Sequence, residues 1–287
     1  MPDDLNTRGD ISTPSPRTIT AGVCPSCDGT DFRVLQVPND GPTLHVCNGC
    51  GMYINAGAVQ GGHIEETYDG DYQEALYGKS ARRKLRDSRR RLRIIEALRG
   101  SGAFLDIGCS LGYFVQAARD NGWDAHGVDV SEYAVKSCRD RGLEVIVGDM
   151  QHLDFPDATF DVVNLRHVLE HDVDLWRSLA EIRRVLKPEG LLILEVPCVE
   201  CLQVRQKQER YIKFWHPYHY YWFSRRSVRN ILTRAQYTQV PMPRYGRVLA
   251  GTPLDNLRFV LWRTHAHLRR AIGLGSYDVS AWQPASS

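Results

Sequence analysis

The chain has 287 residues, a formal net charge of +2 and a hydrophobic content of 43%. That length suits one large domain with a smaller one, or two ordinary domains, and the apolar content supports a real core, which excludes wholesale disorder. The near-neutral balance excludes a histone-like polycation and an acidic tail protein, while leaving room for a local basic patch. No run approaches about eighteen apolar residues, so no membrane span is expected. The start, MPDDLNTRGDISTPSPRTIT, lacks the apolar core of a secretory signal, and the expected location is cytoplasmic.

Residues 1–20, rich in Asp, Thr, Ser and Pro, read as a disordered tail. Residues 21–60 form a cysteine-paired unit in which FRVLQV (32–37) and TLHV (43–46) read as short strands joined by the turn PNDGP. Residues 61–100 read as a helical linker or lid. Its helix, 79–99, aligns Leu85, Leu92, Ile95 and Leu98 on one face. Nine of the fifteen residues 79–93 are Lys or Arg; they read either as a nucleic-acid patch or as a solvated helix face.

From 101 to 200 strands and helices alternate. AFLDIG (103–108), DAHGVDV (124–130), LEVIVGD (143–149), FDVVNL (160–165) and LLILEVP (191–197) are apolar strands. Between them YFVQAARDNG (113–122), EYAVKSCRDRG (132–142) and LWRSLAEIRRVL (175–186) read as helices. Alternation with nearly continuous apolar strands means an α/β fold, doubly wound and Rossmann-like, whose mostly parallel sheet is covered on both faces. Residues 201–272 read as a C-terminal cap with the end of the core sheet. There Ser224 caps a helix burying Val228, Ile231, Leu232 and Ala235, and Leu254 to Ile272 suggest a last amphipathic helix. Residues 273–287 read as a flexible tail.

Cys24-x-x-Cys27 and Cys47-x-x-Cys50 are separated by nineteen residues, the spacing of a zinc ribbon. Each pair offers two thiolates from one tight turn, and four thiolates close a tetrahedral site with no open position. Such a zinc is structural and holds together a unit too small to fold on its own core. Cys198-x-x-Cys201 is a third pair, read as a redox pair, a second metal site or neither. Cys138 reads as helix packing.

LDIGCSLGYF (105–114) joins a strand to a helix, with glycines that let a ligand approach the backbone and a helix N-terminus with free amides. The dinucleotide fingerprint G-x-G-x-x-G is not met, because Ser110 and Tyr113 stand where its second and third glycines would be. Asp106 just before the loop suits a cationic ligand better than a pyrophosphate. Asp129 ends the next strand, where a ribose diol would be held, and Asp149 ends the third. Three carboxylates along one crevice suit a nucleoside that carries positive charge and no phosphate.

Residues 100–200 resemble the class I S-adenosylmethionine-dependent methyltransferases. The resemblance rests on LDIGCSLGYF, GVDVS, GDMQHLDFPDATFDVV, HVLEH and LKPEGLLILEVP, in the usual order and spacing. It implies that Asp106, Gly108, Cys109, Ser110 and Gly112 line the methionine end of S-adenosylmethionine. Asp129, with Val130 beside it, would hold the ribose. Asp149 would accept from the adenine amino group, Met150 would lie against the ring, and Leu165 and Arg166 would border the sulfonium. Ser110 stands where many members have glycine.

The layout also resembles a subgroup in which a cysteine-paired zinc unit precedes the core and a segment with an aromatic–Phe–Ser–x–x–Ser pattern follows it, here HPYHYYWFSRRSV (216–228). Some of those relatives methylate sugars or other small hydroxylated compounds. The sugar C-methyltransferases carry a Glu-His pair there as general base. Tyr218-His219 keeps the histidine and replaces the glutamate, which turns the expectation from carbon toward oxygen. Histidine suits the base because its proton affinity lies near neutrality. His219 is the first candidate, with His216 beside it, and Glu170-His171 after the fourth strand is the second. Trp215, Tyr220, Tyr221 and Trp222 read either as a flat wall for a substrate or as the core of the cap.

The expected function is therefore methyl transfer to a small-molecule acceptor, a sugar or secondary metabolite. One alternative is an RNA methyltransferase gripping phosphates with the zinc ribbon and the Arg-rich helix. A second is a non-catalytic zinc-ribbon binding module. The motif NLRHVLEH differs from the Asn/Asp-Pro-Pro-aromatic signature of many base-amino methyltransferases.

Overall fold

The computed structural model describes residues 22–55, 57–58, 81–207, 210, 215–216, 218–242 and 277–285. In chain order these form β1 (Phe32–Gln36), β2 (Thr43–Cys47), β3 (Tyr53–Ile54), α1 (Ala81–Glu96), β4 (Ala103–Ile107), α2 (Tyr113–Asp120), β5 (Asp124–Asp129), α3 (Glu132–Arg139), β6 (Glu144–Val147) and β7 (Phe160–Arg166). A 3₁₀ turn (Leu169–His171) follows, then α4 (Leu175–Val185), β8 (Leu186–Pro197), α5 (Leu202–Lys207), β9 (Tyr221–Trp222), α6 (Arg225–Arg234), β10 (Tyr237–Val240) and β11 (Tyr277–Pro284).

The larger sheet has seven strands in the order β10-β11-β8-β7-β4-β5-β6. Strands β6 through β8 pair in parallel, and β11 runs antiparallel to both of its neighbours. From β4 the chain winds outward through β5 and β6, then returns to wind the other way through β7 and β8. The order therefore reverses between β4 and β7, and ligands in such sheets sit beyond the carboxyl ends of the strands at that reversal. Asp106, Asp129, Leu165 and Arg166 all lie at that edge.

Both faces of the sheet are covered, which explains the unbroken apolar runs. One face packs Phe104, Ala125 and Val162 against Leu92 and Ile95 of α1 and Phe114, Val115 and Ala118 of α2. The other packs Leu105, Val163 and Leu194 against Leu179 and Ile182 of α4 and Val228, Ile231 and Leu232 of α6. Helix starts follow the expected chemistry. Ser131 Oγ accepts from Ala134 N at 3.3 Å, and Asp174 Oδ1 from Arg177 N at 3.2 Å. Ser224 and Ser227 form a reciprocal capping box at 2.9 Å each way.

The cysteine-paired unit is not a separate bead. Its hairpin β1–β2 extends through β3 to β9, which arrives from beyond the core, so the second sheet runs β1-β2-β3-β9. Tyr53 opposes Trp222 and Ile54 opposes Tyr221. Cys24, Cys47, Cys50, Met52 and Ile54 join the same buried cluster as α6. Ser224 Oγ donates to Cys50 O at 2.6 Å and Ser26 Oγ to Ser227 O at 3.2 Å, so the ribbon also bonds to the start of α6.

One expectation meets a correction. Residues 277–284 are strand β11 inside the sheet, not part of a flexible tail. Trp282 and Ala281 are buried there, which removes them from water as a free tail cannot. Of the two readings of Trp215, Tyr220, Tyr221 and Trp222, their burial, at most 3% exposed, fits the core of the cap and needs no correction. The expected tail 1–20 and last helix 254–272 lie outside the described residues, as do 61–80 of the linker. Among the described residues, no helix is long and apolar enough to cross a membrane.

Candidate functional site

The donor side is the turn after β4. Gly108, Ser110 and Gly112 have φ of +67°, +49° and +66°, so the backbone folds left-handed three times in five residues, which the two glycines allow at little cost and the serine only at some strain. A Cβ on Gly108 would stand 2.3 Å from Val168 Cγ2, so that residue must be glycine for space as well as for φ. The same contact puts the loop directly against the segment after β7. Two bonds to Val128 O, from Gly108 N at 2.8 Å and Cys109 N at 3.1 Å, fix the turn. Cys109 and Cys138 are buried, with Cys138 Sγ donating to Ser110 O at 3.3 Å. The packing role read for Cys138 is the one it plays.

Three carboxylates mark the crevice. Asp129 is buried, with Oδ2 accepting from Ser110 N at 2.7 Å and Oδ1 from Ser131 N at 3.0 Å. Each oxygen keeps a further lone pair, which is what a ribose diol requires. Burial raises the Asp129 carboxyl, against those two bonds. Asp106 is 5% exposed and accepts from Asn164 Nδ2 at 2.7 Å. Burial pushes it up to about 7, the Asn164 bond and Arg166 pull it back, and Asp129 adds to the rise. A buried carboxylate this reluctant to ionise calls for a cation. Asp149 is exposed, and its Oδ1 accepts from Gln151 N at 2.8 Å and His152 N at 2.9 Å. Met150 is buried and Val130 exposed, an apolar lip beside Asp129. Arg184 braces the Asp149 loop by donating to Leu153 O and Phe155 O, both at 2.8 Å, while it pairs with Glu181.

The acceptor side is a cluster assembled from two distant segments. The 3₁₀ turn presents Glu170 and His171, and the run before β9 presents His216 and His219. Tyr220 N donates to Glu170 O at 2.8 Å, and His171 Nδ1 lies 3.1 Å from Tyr218 O. The ribbon's Asn55 holds the same run by Asn55 N to Tyr220 O at 2.9 Å and Asn55 Nδ2 to His219 O at 3.3 Å. The His171 and His219 rings are 4.6 Å apart and perpendicular, with the His216 ring 5.2 Å from His219. Thus all four candidate residues, split into two rival pairs by sequence distance, form one group. Glu170 is fully buried and neither of its oxygens accepts a hydrogen bond; the Nδ1 atoms of His216 and His219 are likewise unpartnered. Burial holds the His219 imidazole down to about 3, and lowers His171 and His216 as well.

Sequence reasoning missed the groups behind this cluster. His167, with φ +56°, lies 3.4 Å from Glu170 Oε1 through Nδ1 and 3.1 Å from Glu195 Oε1 through Nε2. Buried Glu195 also meets Arg166 at 3.2 Å and Arg91 at 3.4 Å. The signal was a lone glutamate inside the apolar run LLILEVP, which buries a charge and so demands cationic partners. Asn164, buried in β7 against Asp106, gave the same kind of signal.

In the ribbon, Cys24 Sγ lies 3.5 Å from Cys50 Sγ, and Cys27 Sγ 3.5 Å from Cys47 Sγ. Zn–S bonds of about 2.3 Å separate tetrahedral sulfurs by roughly 3.8 Å, so the four thiols fit one ion. A Cβ on Gly29 or Gly49 would come within 3.3 Å of Cys27 Sγ, which explains glycine at both positions. Cys198 and Cys201 are buried, and Cys201 Sγ accepts from Val204 N at 3.4 Å. They do not join a metal-binding group among the described residues, where such groups are the four ribbon cysteines and the trio Glu170, His171 and His219.

Comparison with known proteins bears on the fold and on the segment that carries the donor side. Residues 105–194 match the family model described as "Methyltransferase domain". A 27-O-demethylrifamycin SV methyltransferase of Amycolatopsis mediterranei is 35% identical over 106 residues, 34% of this chain and 39% of that one. A malonyl-[acyl-carrier protein] O-methyltransferase of Serratia marcescens is 30% identical over 101 residues, 34% of this chain and 40% of that one. The chain thus spans about two fifths of the length of these relatives. Among solved structures, the Burkholderia thailandensis 1,6-didemethyltoxoflavin-N1-methyltransferase, bound to 1,6-didemethyltoxoflavin and S-adenosylhomocysteine, shares the fold. Its TM-score is 0.55 at 16% identity, covering 88% of this chain and 99% of that one. With its motifs in order, its strand order reversing at β4 and β7, and these matches, the segment 105–194 is a class I S-adenosylmethionine-dependent methyltransferase domain.

Proposed function

We propose that the protein transfers a methyl group from S-adenosylmethionine to an oxygen of a small hydroxylated acceptor. The observation that carries this reading is the contact between Gly108 and Val168. It sets the donor loop against the segment bearing Glu170 and His171, so the two halves of the reaction meet. S-adenosylmethionine, when bound, supplies an electrophilic sulfonium methyl. Asp106 faces the cationic end of the cofactor, Asp129 holds the ribose hydroxyls, and Asp149 with Met150 takes the adenine. Cys109, Ser110 and Gly112 shape the loop, and Leu165 with Arg166 borders the sulfonium. The histidine cluster receives the acceptor hydroxyl. His216 and His219 are neutral and keep lone pairs to accept a hydrogen bond from it; burial makes His219 a weaker base than a free histidine, and Glu170 behind it raises its proton affinity as the charge develops.

The four ribbon cysteines hold a structural zinc, and that zinc fixes the acceptor side through β3, Asn55 and β9. Small-molecule acceptors are named for the rifamycin and toxoflavin enzymes above, which supports the same class here. The basic helix α1 favours this reading over RNA. Arg91 pairs with buried Glu195 at 3.4 Å and Arg89 with Asp120 at the surface at 2.8 Å, so part of its charge is already matched by carboxylates of the fold. A screen of hydroxylated acceptors with labelled S-adenosylmethionine tests the proposal. Transfer to a small acceptor that His219→Gln lowers by at least about a hundredfold supports it, and transfer to RNA alone overturns it.

A further inference from the structure

We infer that Glu170, His171 and His219 form a binding site for a divalent transition-metal cation, distinct from the cysteine site. One carboxylate oxygen and one ring nitrogen from each histidine lie within 4.8 Å of one another. Bonds of about 2.0–2.2 Å place tetrahedral ligand atoms roughly 3.4 Å apart, so the three side chains must draw in towards the ion to close the set. Among the described residues, three of the six buried side-chain polar atoms without a hydrogen bond belong to the trio. Both Glu170 oxygens and His219 Nδ1 are buried without a hydrogen-bond partner. His167 answers Oε1 alone, at 3.4 Å, and a buried carboxylate gains from a second cation on its other oxygen. His167 Nδ1 lies 3.4 Å from Glu170 Oε1 while its Nε2 lies 3.1 Å from Glu195, which Arg91 and Arg166 also meet, so Glu170 shares its one cationic neighbour and keeps Oε2 open to a further cation.

Two imidazole nitrogens and one carboxylate oxygen suit zinc, ferrous iron or cobalt, and three protein ligands leave positions open. The thiolate ribbon, with four ligands, is closed. The backbone is built to hold the trio: Tyr220 N to Glu170 O and His171 to Tyr218 O tie the two segments, and Asn55 pins the His219 carbonyl. Resting on the proposed function, this sharpens it: the acceptor oxygen, with a neighbouring oxygen able to chelate, occupies the open positions beside the donor loop, and His216, outside the trio, is then the histidine left to take its proton while His219 serves as ligand.

The test is titration of the full-length, zinc-loaded protein with Co²⁺ alone. One further equivalent of metal is expected, with a visible d–d band and no thiolate charge-transfer band. Glu170→Gln and His219→Gln each weaken that binding at least about tenfold, while Glu200→Gln, on the surface beside Arg225, leaves it unchanged. No added equivalent in folded protein, or affinity unchanged in both trio variants, overturns the inference. Calorimetry with S-adenosylhomocysteine on the same samples keeps the two proposals apart. Its binding without cobalt uptake sinks the cation site alone, and its absence sinks the transferase reading.

Discussion

Replacing Asp106 by asparagine stabilises the ligand-free protein and weakens its hold on the cofactor product. The carboxyl is buried at the end of β4, and its displacement from 3.8 to about 7 corresponds to at most about 4 kcal/mol. Asn164 from β7 and Arg166 oppose the rise, and Asp129 at the end of β5 reinforces it. Asparagine keeps an oxygen for Asn164 and removes the charge; after its own burial cost it gains about 2 kcal/mol at pH 8. Because the folded value is raised, the penalty on the native protein is absent below about pH 4, grows by about 1.4 kcal/mol per unit, and levels above about pH 7. The advantage of Asp106→Asn in urea unfolding therefore shrinks as pH falls through that window. S-adenosylhomocysteine carries an ammonium for Asp106 to meet, so the variant binds it about tenfold or more weakly at pH 8. Native affinity falls below about pH 7, and the variant's stays flat. A variant destabilised equally at pH 5 and pH 8 would refute the reasoning.

Three other substitutions probe separate links. Gly108→Ala forces a Cβ into Val168 at a positive φ; it lowers stability by about 2 kcal/mol and abolishes S-adenosylhomocysteine binding, read by thermal melting with and without ligand. Cys47→Ser loses the ribbon zinc, read by metal analysis, and also the near-ultraviolet dichroism of Trp215 and Trp222, since β3 no longer holds β9; intact tryptophan dichroism in zinc-free protein contradicts that coupling. Glu195→Gln strips Arg91, Arg166 and His167 of a shared buried partner and costs about 3 kcal/mol in denaturant unfolding, whereas a change under about 0.5 kcal/mol shows these charges are solvated.

The parts of the fold legible in the sequence were those with local signals. The strands around residues 103–197 are continuous apolar runs, and Asp106, Asp129 and Asp149 stand at strand ends where spacing alone places them. The cysteine pairs carried their own geometry. What stayed hidden depended on pairing between distant segments. Strand β11 reads as a polar tail because only its registration on β8, where Trp282 opposes Leu192 ninety residues earlier, buries Trp282. Strands β3 and β9 have two residues each, too few for a period to show. With them went the role of the ribbon as a support for His219, and the union of Glu170-His171 with His216 and His219 into one cluster. The charges behind that cluster, His167 and Glu195, were visible only as oddities of residue type in apolar surroundings.

The most direct measurement is calorimetric titration of zinc-loaded protein with S-adenosylhomocysteine, beside Asp129→Ala. Micromolar binding that the variant weakens at least about tenfold, a loss of about 1.4 kcal/mol, is the expected result. Folded, zinc-loaded protein that releases no binding heat, or an Asp129→Ala variant that binds as tightly as the native chain, would contradict the cofactor site at the ends of β4 and β5.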